Sequence, residues 1–215
     1  MGDFIVQDCT LLTKTSGLTA AINLRELRDR VAVCRQDVLY HHFWETPLVP
    51  SFDNPDYRND FAVWALLHLG DRVLAERLGI IDSYTFTDME KLREQVLEIF
   101  DERLNEVHVV PSCQPGGEFF FTEAVTVVFD TGKRIASPKE LPGAIGTMTN
   151  GSIYYHFFEA RRREPVGIDD FSTWLIDFPG QEVWRHALQT VDFVFFTLTE
   201  LRGELVRILE KGGAS

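Results

Sequence analysis

The residues best able to do chemistry sit in two matching stretches, Tyr40-His41-His42-Phe43-Trp44-Glu45 and Tyr154-Tyr155-His156-Phe157-Phe158-Glu159. Imidazole titrates near neutral pH and a carboxylate can fix its tautomer, so a histidine–glutamate pair has the parts of a general base. On a helix turning about 100° per residue, His42 and Glu45 fall on one side, opposite Tyr40, Phe43 and Trp44. The same split sets His156 and Glu159 against Tyr154, Phe157 and Phe158. The aromatic side reads as core. The histidine side admits buried pairs that join helices, a ligand site or a metal centre.

As ligand-binding candidates the sequence offers His42, Glu45, His156 and Glu159, with Tyr40 and Tyr154 beside them. A divalent-metal site would draw on the same two histidines and two glutamates, with Asp60 and Asp170 completing the donor set. Each of those aspartates also reads as a helix-start acid before Phe-x-x-Trp. No nucleophile or oxyanion motif accompanies the pairs. The chain has no phosphate loop, GxGxxG, HExxH, GxSxG or EF-hand pattern. Catalytic residues and cofactor therefore stay unassigned, with a divalent metal the one cofactor the donors suggest.

Self-comparison explains why the motif occurs twice. Displacing the sequence by 110 residues lays 60–90 on 170–200 without a gap, with ten identical pairs. These are Asp60/Asp170, Phe61/Phe171, Trp64/Trp174, Gly70/Gly180, Val73/Val183, Leu78/Leu188, Asp82/Asp192, Phe86/Phe196, Thr87/Thr197 and Glu90/Glu200. Upstream the displacement is 114, which pairs Glu26-Leu27 with Glu140-Leu141 and His42 with His156. Four extra residues therefore lie between Glu45 and Asp60, where Ser51-Phe52-Asp53-Asn54-Pro55 reads as a loop. At the N-terminal side a displacement of 115 pairs Phe4 with Phe119 and Gly17 with Gly132.

The expected organisation is a first repeat over 1–107, a linker over 108–117 and a second repeat over 118–215. Residues 4–14 and 118–130 read as strands, each opening a hairpin that turns at Gly17 or at Asp130-Thr131-Gly132. Asn23-x-x-Glu26, Ser137-Pro138-x-Glu140, Thr87-x-x-Glu90 and Thr197-x-x-Glu200 are helix starts. In the helix after Thr87, Met89, Leu92, Val96, Ile99 and Phe100 form one apolar face. Gly70 and Pro179-Gly180 break the helices after the two tryptophans. The fold class is α+β and predominantly helical, two tandem copies of a β-hairpin-plus-helices unit. A lone hairpin is marginal in water, so the hairpins are expected to share a sheet in one pseudo-twofold domain.

Of the 215 residues 45% are hydrophobic and 25% charged, ordinary for a globular protein. The net charge of −12 argues against nucleic acid as a partner. The basic run Arg161-Arg162-Arg163 reads as a solvated helix end. Cys9, Cys34 and Cys113 are far apart and odd in number, which fits a reducing compartment. With no signal peptide and no membrane-length apolar run, a cytoplasmic location is expected. Asp8-Cys9, Glu26-Leu27, Tyr40-x-His42-Phe43-x-Glu45 and Asp60-Phe61-x-x-Trp64 together give the chain its likeness to a known group. It resembles a bacterial family of conserved proteins with no assigned function, which implies a bacterial cytoplasmic protein and no activity.

The leading expectation is a non-catalytic binding or regulatory protein that takes a small molecule or a protein partner at the interface between the repeats. The alternative is a metal-dependent enzyme using the paired His and Glu residues. A third is a homo-oligomer subunit joined through Phe119, Phe120, Phe121, Phe193, Phe195 and Phe196.

Overall fold

The structure, a computed structural model, describes residues 2–48, 57–86, 88–163, 167–193 and 196–212. The expected Ser51–Pro55 loop, Thr87 and Phe195 lie outside them. The chain divides into two compact units: Leu11–Val125, and Met1–Thr10 together with Thr126–Ser215. The class is α+β, with one sheet of two antiparallel strands, β1 (Phe4–Thr15) and β2 (Thr122–Ile135), among the described residues.

The expected hairpins do not form. Each stretch makes one long strand, and the two strands pair with each other. Gly132 has φ +76°, but it lies inside β2, which runs on to Ile135. A glycine within a strand marks a local bend as readily as a chain reversal, and periodicity cannot tell the two apart. Asp130 accepts the Gly132 N–H at 2.7 Å and is paired with Arg134, fixing that bend.

In the unit Leu11–Val125, helix α1 (Leu24–Val33) starts where Asn23 accepts the Glu26 N–H at 2.9 Å. It buries Leu24, Leu27 and Val31. Helix α2 (Gln36–Tyr40) leads directly into a π-helical turn, His41–Glu45. Helices α3 (Asp60–Leu67) and α4 (Arg72–Gly79) are capped by Asn59 and Asp71 and separated at Gly70, whose φ is +65°. Helix α5 (Met89–Glu106) buries Leu92, Val96 and Phe100, with Met89 and Ile99 packed at the margin, as the apolar spacing predicts. Its cap is Asp88, which accepts the Glu90 N–H. Residues 108–117 are built into this unit: Cys113 donates its N–H to Ile22 at 2.8 Å, and Ser112 pairs with Asn23.

In the other unit Ser137 opens a 3-10 turn, Pro138–Glu140, ahead of α6 (Leu141–Gly146). Helix α7 (Asn150–Ile153) runs into a second π-helical turn, Tyr154–Glu159, then a 3-10 turn, Ala160–Arg162. Helices α8 (Asp170–Leu175) and α9 (Glu182–Gln189) follow on either side of Gly180, with φ +83°. The last helix, α10 (Leu198–Gly212), buries Leu198, Leu201, Leu205 and Leu209.

The compact units cut the chain differently from the sequence boundaries 1–107 and 118–215. Residues 1–10 belong with the helices of the later half, and 118–125 with those of the earlier half. Sequence matching orders residues along the chain; contact decides which helices a strand completes. The phenylalanine set divides as well: Phe119 and Phe121 are buried, Phe193 and Phe196 half-buried, and Phe120 is 63% exposed. No helix among the described residues is long and apolar enough to cross a membrane.

At α10 the Thr197 hydroxyl accepts the Glu200 N–H while the Glu200 carboxylate accepts the Thr197 N–H, a reciprocal capping box. Thr197→Ala should lower stability by about 1 kcal/mol, read from the urea midpoint, and Thr197→Ser should restore most of it.

Candidate functional site

The π-helical turns change the geometry expected at the two motifs. Bonding from residue i to i+5 spreads more residues over each turn than an α-helix does, so a 100° wheel misplaces the side chains. His41, His42, Phe43, Trp44 and Glu45 are all buried. In the second motif Tyr154, His156, Phe157 and Phe158 are buried, and Tyr155 and Glu159 are half-buried. The expected division into a core face and a separate polar face therefore fails for His42 and His156. Tyr40 stacks on Trp44 at 5.4 Å and Tyr154 on Phe158 at 6.1 Å, so both tyrosines belong to the aromatic packing of their turns.

His42 does not take Glu45 as its partner. Its Nδ1 lies 2.6 Å from the Asp60 carboxylate, and its Nε2 accepts the backbone N–H of Thr122 at 3.2 Å. Glu45 instead meets Nδ1 of His41 at 2.7 Å. A backbone N–H can only donate, so Nε2 of His42 carries no proton. The proton sits on Nδ1 and is donated to Asp60, and the ring is neutral. Burial pushes the His42 pKa below its ordinary value, with Asp60 opposing that shift. Asp60 lies in the first turn of α3, just after the Asn59 cap, where the helix dipole favours a carboxylate.

In the other unit, Nδ1 of His156 is 2.8 Å from Asp170, in the first turn of α8, and Nε2 accepts the Gln7 N–H at 2.9 Å. Asp169 caps α8 and accepts the Ser172 N–H at 2.8 Å. Burial raises the Asp169 pKa, while the Ser172 bonds and the Arg161 charge hold it down.

Tryptophan and phenylalanine complete each arrangement. The Trp64 indole N–H donates to the Gly117 carbonyl at 2.6 Å, and that of Trp174 to the Gly2 carbonyl at 3.0 Å. Phe119 stacks on Phe61 at 4.9 Å, edges Trp64 at 5.7 Å and leans on His42 at 4.9 Å. Phe4 stacks on Phe171 at 5.3 Å, edges Trp174 at 5.7 Å and leans on His156 at 4.8 Å. Each strand thus presents the same order: a glycine carbonyl, a phenylalanine two residues on, and a backbone N–H three residues later. The signal was present in the sequence, because Gly2/Gly117 falls at the same displacement as Phe4/Phe119. The partner of the histidine was not, since a backbone N–H has no residue signature.

These contacts decide what the motif can do. Both nitrogens of His42 and of His156 are committed, leaving neither ring a lone pair to bind a metal or take up a proton in place. Among the described residues no three His, Cys, Asp or Glu side chains are placed to hold a metal ion. Asp60 and Asp170, expected as extra donors, are the carboxylates that orient the rings. Glu159 faces Arg162 at 3.8 Å. The basic run is not a solvated helix end at Arg161, which is buried, bonded to the Leu188 carbonyl at 3.1 Å and placed over the Phe157 ring at 4.3 Å. Arg163 bonds Asp170 at 2.9 Å and lies over the Tyr155 ring at 4.4 Å.

His42→Phe keeps the ring but strips both bonds, leaving the Thr122 N–H and Asp60 without their histidine partner. The expected loss is about 3 kcal/mol by urea denaturation. The pH dependence has a fixed sign. The native ring stays neutral while the unfolded one takes a proton near about pH 6.5. Its contribution is present above that pH and is lost as pH falls toward the lowered native pKa. The wild-type midpoint should therefore drop more steeply than that of His42→Phe on acidification below about pH 6.5.

No curated protein matches the sequence. Among solved structures the chain is similar to OrfY from Thermoproteus tenax, with 26% identity and a TM-score of 0.78 over 99% of this chain and 96% of that one. A family model matches residues 1–210, nearly the full length of the sequence. The chain belongs to the family of unknown function DUF5752.

Proposed function

We propose that the protein is a non-catalytic binding or regulatory protein, built by tandem duplication of a strand-plus-helices unit, that recognises a protein partner. The observation that carries this is the double commitment of both imidazoles. Nδ1 is held by a carboxylate and Nε2 by a strand N–H in His42 and in His156 alike. The residues best suited to chemistry are spent on positioning backbone. Duplication is supported by the ten identities at one displacement and by the matching glycine, phenylalanine and histidine contacts. A cytoplasmic location is supported by Cys9, Cys34 and Cys113, which are in the thiol form and not in disulfides.

A protein partner is favoured by β2, where Val127, Val128 and Phe129 stand exposed in one run. Isolated exposed apolar residues are ordinary, but a run on a strand with an open edge is what strand-adding partners use. The acidic net charge of −12 favours a partner with a basic surface over a nucleic acid. Cross-linking mass spectrometry in extract of the native cells should place partner cross-links at β2. Val127→Asp with Phe129→Asp should abolish them while leaving the thermal midpoint within a few degrees. Cross-links confined to the helices, or retained by the double variant, would overturn the proposal.

A further inference from the structure

The contact between His42 and Thr122 has a property that an ordinary strand bond lacks: it can be inverted by one proton. Nε2 accepts the Thr122 N–H only while it is unprotonated. Once protonated, it becomes a donor facing a donor. We propose that His42 is an acid-release latch for the strand segment 118–123, holding it against the helices of its unit at neutral pH and letting it go in mild acid.

The surroundings of His42 support a latch over a passive brace. The groups facing the ring are Asp60 from α3, His41 and Glu45 from its own turn, and only apolar rings, Phe119 and Phe121, from the strand. Asp60 already accepts the Nδ1 proton, and what Nε2 faces is the Thr122 N–H, itself a donor. Burial disfavours the charged ring in place, in line with its lowered pKa. The ring gains its proton most readily by leaving the site together with the strand. The segment is also held by neutral contacts that do not change with pH: the Trp64–Gly117 bond, the two backbone bonds between Ala21 and Phe119, the Ser16 N–H donated to the Phe121 carbonyl at 2.9 Å, and the buried Phe119 and Phe121 rings. Glu123 is paired with Lys14 and Arg35, both well exposed. Release would uncover Phe61 and Trp64, which are fully buried with the strand in place.

The size of the effect follows from linkage. If the closed ring stays neutral and the open ring titrates near about 6.5, the opening equilibrium grows up to about 30-fold between pH 7.5 and 5.0. Amide hydrogen exchange on the full chain, corrected for intrinsic rates, reads this directly. Protection at Phe119 and Thr122 should fall by about that factor, while Leu27 and Val31 in α1 change less than about threefold. His42→Gln offers a carbonyl to the same N–H and cannot titrate, so it should remove the pH dependence. Should that variant fail to fold, imidazole ¹⁵N shifts of the wild type decide. A charged His42 at pH 5.0 with Thr122 still protected would overturn the latch. So would equal loss of protection in α1, or a pH-dependent loss that persists in His42→Gln.

Discussion

A strand completes each unit because a buried imidazole accepts one of its backbone N–H groups. The constraint is severe, since only the neutral ring with its proton on Nδ1 can meet a donor on one side and a carboxylate on the other. The carboxyl oxygen must then lie close, and each unit supplies it from the first turn of a helix, Asp60 in α3 and Asp170 in α8. The cap residue before it and the helix dipole favour an acidic side chain at that position. Placing the ring thus fixes the start of the following helix as well as the strand. The aromatic contacts follow from the same placement. With the strand N–H at Nε2, Phe119 falls between Phe61, Trp64 and His42, and Phe4 falls between Phe171, Trp174 and His156.

This answers how so small a sheet persists. Two strands alone are marginal in water, because little apolar surface is buried per backbone bond formed. Here the start of β1 is tied down from the side. The Cys9 thiol donates to the Gly151 carbonyl, Ser152 donates to the Gln7 carbonyl, and a Cβ on Gly151 would run into Cys9. The segment before β2 is held by Trp64 and by pairing with Ala21. The strands are stable because helices grip them, and they lengthen into an exposed ribbon only beyond those grips.

Much of the fold is written in local signals. The caps at Asn23, Ser137 and Thr197, the breaks at Gly70 and Gly180, and the apolar face of α5 each depend on residues within one turn of one another. They could be read because the physics is local. Three features were not readable, each for its own reason. The strands pair across more than a hundred residues, and periodicity carries no information about a distant partner. His42 takes Asp60 over Glu45 because the turn is π-helical, a widening no propensity signals. The acceptor role of Nε2 is met by Thr122 and by Gln7, two side chains with nothing in common, because only their backbone is used.

The two clamps differ around their shared core, and the difference separates what the fold requires from what each unit can vary. In one unit His41 and Glu45 form a second buried pair, with the His41 ring 5.3 Å from His42. In the other, Tyr155 stands in the place of His41, Glu159 turns to Arg162, and Arg163 shares Asp170 with His156. Arg163 leaves Asp170 half-exposed and charge-balanced from outside, whereas Asp60 is sealed inside. The ring, the helix-start carboxylate, the phenylalanine and the tryptophan persist through this change, as they must if each is needed to seat a strand. The electrostatic setting does not persist. An interaction that the fold demanded in every detail would have fixed both; here the backbone contacts are fixed and the charged neighbours are left to each unit.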